Sequence, residues 1–149
     1  MGIDLDALLA EAQSMVDGAE PELVPVVLAG RSVGVRFVPL SGADWRDLCL
    51  KFPPRPEIRQ DAILGYDVDG VVSAYPDVAL VADDDVDDMV RTNGEGKAYS
   101  KWPAVWAALT ATGRKDVSAA IWSAHERTPE RLVSEAGKAS TGEETSTPA

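Results

Sequence analysis

The sequence has only one cysteine, Cys49, and no long run of apolar residues. A single thiol excludes a disulfide within the chain, which fits a reducing cytoplasm. No apolar stretch approaches the about 20 residues that a membrane-spanning helix requires. The N-terminus is acidic and amphipathic, whereas a signal peptide begins with bases and continues with an apolar segment. These absences predict a soluble intracellular protein without a membrane partner.

The residue types that form catalytic and metal sites are also scarce. His125 is the only histidine, and no pair of histidines or cysteines has the spacing of zinc ligands. His125 falls at the border of an apolar helical stripe, and Cys49 falls on the apolar face of another predicted helix, so both are interpreted as structural residues. The carboxylates are too numerous and too scattered to indicate one acid–base pair. The sequence predicts no enzyme, no cofactor and no metal.

Two loops resemble ligand-binding motifs without satisfying them. Residues 93–98 contain a Gly-Lys pair, but Arg91 stands where a P-loop needs glycine, and Ala98 stands where it needs a hydroxyl group. Residues 83–88 are rich in aspartate, but Gly94 occupies the position at which a calcium loop needs a bidentate glutamate. We predict an ordinary loop in the first case. In the second we predict a solvated acidic loop, with weak cation binding as the alternative.

Positive charge is in short supply and is unevenly distributed. The chain has 14 lysines and arginines against 25 acidic residues, a formal net charge of −11. Residues 1–23 contain six acids and no base, whereas residues 31–59 contain six bases and three acids. Repulsion from phosphate groups therefore disfavours a nucleic-acid partner. The asymmetry predicts that opposite charges pair within the fold or across an interface.

An amphipathic helix is predicted at the N-terminus. Asp4 is its cap, Gly18 is its end, and the apolar positions between them repeat with the 3.6-residue period. Those positions are Leu5, Leu8, Leu9, Ala12, Met15 and Val16. This face could dock on the core of the same chain or on another chain.

A β-hairpin and several short elements are predicted to follow. Two β-branched runs, residues 24–28 and 32–38, are joined by a turn at Gly30 and predict a hairpin. A capping box at Ser41 opens a helix that Pro53 ends. Further on, we predict a short helix over residues 69–75, either a strand or an apolar anchor over residues 78–81, and a short helix ending at Thr92.

Residues 101–140 contain three helical patterns and three of the four tryptophans. The first helix is predicted to end at Gly113, the second to begin after Asp116, and the third to begin at Thr128 and stop at Gly137. The bulky apolar residues of this segment include Trp102, Trp106, Leu109 and Trp122. Two interpretations stay open: these residues form the core, or they form a surface that grips another helix.

Together these patterns predict an α+β fold that is mostly helical, with one N-terminal β-hairpin and a C-terminal three-helix unit. A chain of 149 residues is long enough for one domain with a sizeable core, which we place at residues 1–138. Residues 139–149 are rich in Ser, Thr and Glu and are predicted to be a disordered tail.

The layout of residues 1–140 resembles the tail assembly chaperones of long-tailed (siphovirus-type) phages that infect actinobacteria. The resemblance is carried by the opening MGIDLDALLAE, by a hairpin followed by a helix around Trp45 and by Pro-Pro-Arg at residues 53–55. It continues with GYDVD at residues 65–69 and with the pattern DV…AIW…HE…P at residues 116–129, and it ends at residue 140.

This resemblance implies a protein that is not an enzyme and that acts in the host cytoplasm during infection. Members of the family bind the long helical tape measure protein, keep it soluble while the tail tube assembles, and are absent from the mature virion. Many have a longer form made by a programmed frameshift, through which contact with the tail tube protein is expected. Gly137-Lys138 is compatible with a slippery codon pair. A homo-oligomer is also compatible with the sequence.

Other functions fit the same composition. A head–tail connector or tail terminator would be a different phage morphogenesis protein and would remain in the particle. An acidic host-directed regulator would use its surface to mimic DNA. The partner-binding candidates under the chaperone hypothesis are Leu5, Leu8, Leu9, Trp102, Trp106, Leu109 and Trp122.

Overall fold

The computed structural model describes residues 2–127, which contain six α-helices and six β-strands. The mixed α+β class is therefore confirmed, with more strands than a single hairpin supplies. The helices are α1 (Leu5–Asp17), α2 (Gly42–Lys51), α3 (Arg59–Leu64), α4 (Val68–Ser73), α5 (Trp102–Ala108) and α6 (Ala111–Trp122), and α6 continues as a π-helical segment, Ser123–Arg127. The strands are β1 (Glu22–Leu28), β2 (Arg31–Phe37), β3 (Ala79–Ala82), β4 (Asp85–Asp87), β5 (Val90–Thr92) and β6 (Ala98–Ser100).

Strands β1 and β2 form an antiparallel hairpin in which Glu22 pairs with Phe37 and Leu28 pairs with Arg31. Its two loop residues, Ala29 and Gly30, have φ values of 52° and 74°. Two consecutive residues with positive φ are typical of the turns whose twist matches that of the flanking strands. Successive side chains of a strand point to opposite faces of the sheet, and the buried apolar residues of β1 and β2 share the face toward the core.

The hairpin is half of a larger antiparallel sheet with strand order β1-β2-β3-β4, and β5 pairs with β6 in a second, two-stranded sheet. The predicted short helix ending at Thr92 is therefore wrong, because Thr92 belongs to β5. Side chains explain the difference: Asp87 accepts a hydrogen bond from the backbone N–H of Met89, and Asp88 accepts one from Val90. Such local bonds turn the backbone and compete with a helix.

Helix α4 lies at the centre of the helical layer and contacts α2, α3, α5 and α6. Its Val71 and Val72 are buried, and the indole N–H of Trp102 donates a 2.7 Å hydrogen bond to the Val72 carbonyl. A Cβ on Gly70 would lie only 2.4 Å from a ring carbon of Phe52. Glycine at this position is therefore what lets α4 approach the end of α2 so closely.

The boundary between the two helices after residue 101 differs from the prediction. Helix α5 ends at Ala108, and the hydroxyl of Thr110 caps α6 by accepting a hydrogen bond from the N–H of Gly113. Gly113 is not a helix stop, and Asp116 is not a cap. Gly113 is buried inside α6 and faces Val26 of β1, from which a Cβ would lie at an ordinary contact distance of 3.6 Å. The predicted third helix and the tail lie outside the described residues.

An ion-pair network fixes the segment between α2 and α4. The Arg55 guanidinium lies 2.7 Å from Asp61, 3.2 Å from Asp67 and 3.0 Å from Asp69. The Asp61 side chain is fully buried and also accepts hydrogen bonds from the backbone N–H groups of Arg55 and Val68. The hydrogen bond from the Arg55 side chain lowers the pKa of Asp61 to about 2, although burial alone would raise it.

The Asp61→Asn variant tests this network. Asparagine has one acceptor oxygen where aspartate has two, and its NH2 group would point at the N–H donors that now bind the carboxylate. We therefore expect the free energy of unfolding to fall by about 3 kcal/mol. Urea denaturation measures the change. The matched control is Asp87→Asn, which breaks the exposed Asp87–Arg91 pair and should leave the denaturation midpoint nearly unchanged. Equal losses in the two variants would contradict a special role for Asp61.

Candidate interaction surface

Helix α1 presents an apolar face that the rest of the described chain does not cover. Leu5, Leu8 and Leu9 are 59%, 53% and 58% exposed, and Met15 is 71% exposed. Within residues 2–127, no residue of α1 is buried. The sequence left two options open for this face, docking on the protein's own core or on another chain. Within residues 2–127 the face does not dock on the core. Among these residues this face is uncovered.

The ends of α1 are stabilised by local hydrogen bonds. Asp4 accepts a 3.1 Å hydrogen bond from the N–H of Ala7, as the sequence predicted. At the other end, the N–H of Gly18 donates to the Ser14 carbonyl and the N–H of Ala19 donates to the Val16 carbonyl. One turn earlier, the Gln13 amide donates to Asp17. A helix of 13 residues is marginal without tertiary packing. Capping of this kind keeps the face formed while it remains exposed.

Three of the other partner-binding candidates lie in the core. Trp102, Trp106 and Leu109 are only 1%, 6% and 4% exposed. The indole N–H of Trp106 donates to Asp69 of the Arg55 network, so this side chain is held by a polar bond as well as by packing. Trp122 is half-buried and packs against the same core. These tryptophan-bearing helices therefore build the fold, and α1 alone carries candidates with largely exposed side chains.

His125 joins three parts of the fold. Its Nδ1–H donates a 2.7 Å hydrogen bond to the Ile121 carbonyl, and its Nε2 accepts a 2.8 Å hydrogen bond from the N–H of Leu40. The ring stacks on Trp45 with centroids 4.2 Å apart. Burial lowers the pKa of His125, although the bond to Ile121 and the nearby negative charge of Glu126 act in the opposite direction. The neutral imidazole is the form that fits this site.

The remaining candidates for chemistry occupy structural positions. Burial and the negative charge of Glu126 raise the pKa of Cys49 to about 11, so its thiol stays protonated at neutral pH. Asp87 is paired with Arg91, and the Asn93 side chain accepts hydrogen bonds from the backbone N–H groups of Glu95 and Lys97. No cluster of three or more His, Cys, Asp or Glu side chains suited to a metal ion occurs within residues 2–127.

The Arg55 network is the feature that sequence patterns missed. Arg55 ends the Pro-Pro-Arg motif, Asp61 lies in α3, and Asp67 and Asp69 belong to GYDVD. None of these patterns indicates the others as partners. The uneven charge distribution was the only available signal. It set the acids of residues 1–23 against the bases of residues 31–59, whereas the acids that pair with Arg55 lie at residues 61–69.

Paired leucine substitutions test the assignment of core and surface. Leu109→Ala should lower the free energy of unfolding by about 2–5 kcal/mol, because it leaves a cavity in the core. Leu8→Ala should change it by less than about 0.5 kcal/mol, because the side chain is exposed and alanine is a good helix former. Thermal and urea denaturation measure both. A large loss in Leu8→Ala would show that the α1 face is packed within the protein.

The protonation of His125 makes stability depend on pH. The pKa of His125 is lower in the folded state than in the unfolded state. The contribution of His125 to the free energy of unfolding is therefore complete above about pH 6.5 and is lost as the pH falls below that value, because the unfolded state then binds a proton first. Wild-type protein should therefore lose stability between about pH 7.5 and pH 5.5, and His125→Gln should lose less over the same interval. Burial raises the pKa of Glu22, so protonation of this residue favours the folded state as the pH falls, and it does so equally in the wild type and in the variant. Parallel pH profiles would contradict this role for His125.

No helix within residues 2–127 combines the length and apolar character needed to cross a membrane. Comparisons of the chain with protein-family models, with curated proteins and with solved structures found no match.

Proposed function

We propose that this protein is a tail assembly chaperone of a long-tailed (siphovirus-type) actinobacteriophage and that it binds the tape measure protein. The observation that carries the proposal is the exposed apolar face of α1, in particular Leu5, Leu8 and Leu9, on a strongly acidic chain. A chaperone for a long amphipathic protein needs an apolar surface that is open before the partner arrives. Helix α1 has this property because the core forms without it.

The net charge of −11 supports the same function. A protein that displays several exposed leucines tends to associate nonspecifically, and strong like charge opposes that association. The acids are also dense near the apolar face, with six in the first 23 residues. Charge and apolar surface are therefore combined in one segment, which keeps the free protein soluble while the binding face stays accessible.

Two of the motifs that carry the resemblance contact each other in the structure. Arg55, the last residue of the Pro-Pro-Arg motif, bonds to Asp67 and Asp69 of the GYDVD motif. Trp106 then joins Asp69 from a third segment.

Several further properties belong to the proposal. The chaperone acts in the host cytoplasm, coats the tape measure protein through repeated weak contacts, and leaves before the virion is complete. A longer frameshifted form extends the chain at Gly137-Lys138 and brings the complex to the tail tube protein. Repetition along the tape measure protein places several copies side by side, so contacts between copies are part of the proposal.

Co-expression with the tape measure protein of the same genome tests the proposal. We expect the tape measure protein to be insoluble alone and to co-purify in soluble form with this chain. A Leu5→Ser, Leu9→Ser double variant should lose that effect, because it removes apolar surface from α1. Leu50→Ser, which changes a 68% exposed leucine on α2, is the matched control and should retain it. A tape measure protein that stays insoluble beside the wild-type chain would contradict the proposal.

Two further observations separate the other functions. A head–tail connector or tail terminator would be found by mass spectrometry in purified virions, where this chaperone should be absent. An acidic DNA mimic would compete with DNA for a host protein. The nucleotide sequence at codons 137 and 138, with an overlapping reading frame and a very long gene downstream, would support the frameshifted form directly.

A further inference from the structure

The apolar residues of α1 have the spacing of a coiled-coil seam. Leu5, Leu8, Ala12 and Met15 are separated by three, four and three residues, as the a and d positions of a heptad are. Leu9 and Val16 widen this stripe on one side. A stripe of this shape matches another helix laid along it, because side chains of a second helix fit between its a and d residues.

Acidic residues border this stripe, and uncharged residues lie behind it. At about 100° per residue, Asp4 and Glu11 lie along one edge, and Asp6 and Asp17 lie beyond the other. The opposite side of the helix carries Ala7, Ala10 and Ser14. Asp4 and Glu11 therefore lie directly beside the apolar face, whereas Asp6 and Asp17 lie farther round the helix, with Asp17 next to Ala10. Solubility alone does not require this placement.

The charges oppose antiparallel pairing of α1 with a second α1 and give no attraction in a parallel pair. In an antiparallel pair, Asp4 and Glu11 would face the same acids of the other helix, which is repulsive. In a parallel pair they would face Leu9 and Val16 and gain no opposite charge. Residues 128–149 carry four acids and two bases, so that segment of the chain offers no net positive charge either. The complementary bases must come from elsewhere.

We infer that the α1 face binds a basic amphipathic α-helix, in which Lys or Arg flank an aliphatic stripe with heptad spacing. The inference rests on the proposed function for the source of this helix, the tape measure protein, and adds which kind of segment is recognised. Aliphatic side chains of the partner cover Leu5, Leu8 and Met15, and its bases lie against Glu11 and the other bordering acids. The charges set the selectivity, and the apolar stripe supplies most of the affinity.

Helix α2 presents basic side chains beside an exposed leucine and could compete with a foreign helix. On α2, Arg46 and Lys51 lie near the exposed Leu50. In a second copy, this surface could take the place of the partner helix, so the experiment has to separate binding of a foreign helix from contact between copies.

Two designed peptides test the inference on the full chain. Each is a helix of about three heptads with leucine at a and d, one with lysine and the other with glutamate at e and g. Titration calorimetry should show the lysine peptide binding at least about tenfold more tightly than the glutamate peptide. Leu8→Ser should weaken binding of the lysine peptide about tenfold. Ala10→Ser, which places the same residue on the opposite side of α1, should leave binding unchanged.

A charge change gives an independent readout. Glu11→Lys should weaken binding of the lysine peptide and strengthen binding of the glutamate peptide. Both changes in affinity should become smaller as salt is added. Equal binding of the two peptides, or equal losses in Leu8→Ser and Ala10→Ser, would overturn the inference. Concentration-dependent assembly of the wild-type chain that both Leu8→Ser and Arg46→Glu abolish would also overturn it, in favour of contact between copies.

The outcomes remain distinct from those of the proposed function. Selective, Leu8-dependent binding of the lysine peptide together with failure to solubilise the tape measure protein would reject the chaperone function and keep the basic-helix site. A soluble complex with the tape measure protein that is unaffected by Leu8→Ser and Glu11→Lys would keep the function and reject this site.

Discussion

The ion pair between Arg55 and the buried carboxylate of Asp61 is the interaction on which the helical layer depends. Asp61 binds the Arg55 side chain and two backbone N–H groups, and it thereby fixes both the turn after α2 and the start of α4. Helix α4 in turn contacts four other helices. A buried carboxylate tolerates no loss of its partners, because an unpaired charge away from water is strongly destabilising. One arginine therefore holds the turn after α2, helix α3 and the start of α4 in one arrangement.

The molecule separates what makes it stable from what it offers to a partner. The tryptophans that first suggested a gripping surface are in the core, where Trp102 and Trp106 donate hydrogen bonds to the Val72 carbonyl and to Asp69. Helix α1 contributes no buried residue within residues 2–127 and is held by its caps and its own backbone. A partner can therefore engage α1 without disturbing the core, and substitutions on α1 can change binding while leaving stability intact.

Local patterns predicted the elements whose causes are local. The caps at Asp4 and Ser41, the turn at Gly30 and the short helix before Pro76 depend on residues a few positions apart, and the structure has each of them. The boundary near Gly113 was wrong because Thr110 caps α6, and the helix then continues through this glycine. The strand that ends at Thr92 was missed because its three residues are too few to show the alternation of apolar and polar residues that identifies a strand.

The sequence by itself determined the amphipathic helix α1, the placement of acids beside its apolar face, and the absence of disulfides, since each follows from residue identity and spacing alone. Only the tertiary structure decided which apolar face is buried. The stripes containing Leu8 and Trp106 look alike as patterns, but burial depends on which elements pack together, and that is set by long-range contacts such as Arg55 with Asp69 and His125 with Leu40. Periodicity identifies a face, whereas its neighbours in space determine its role.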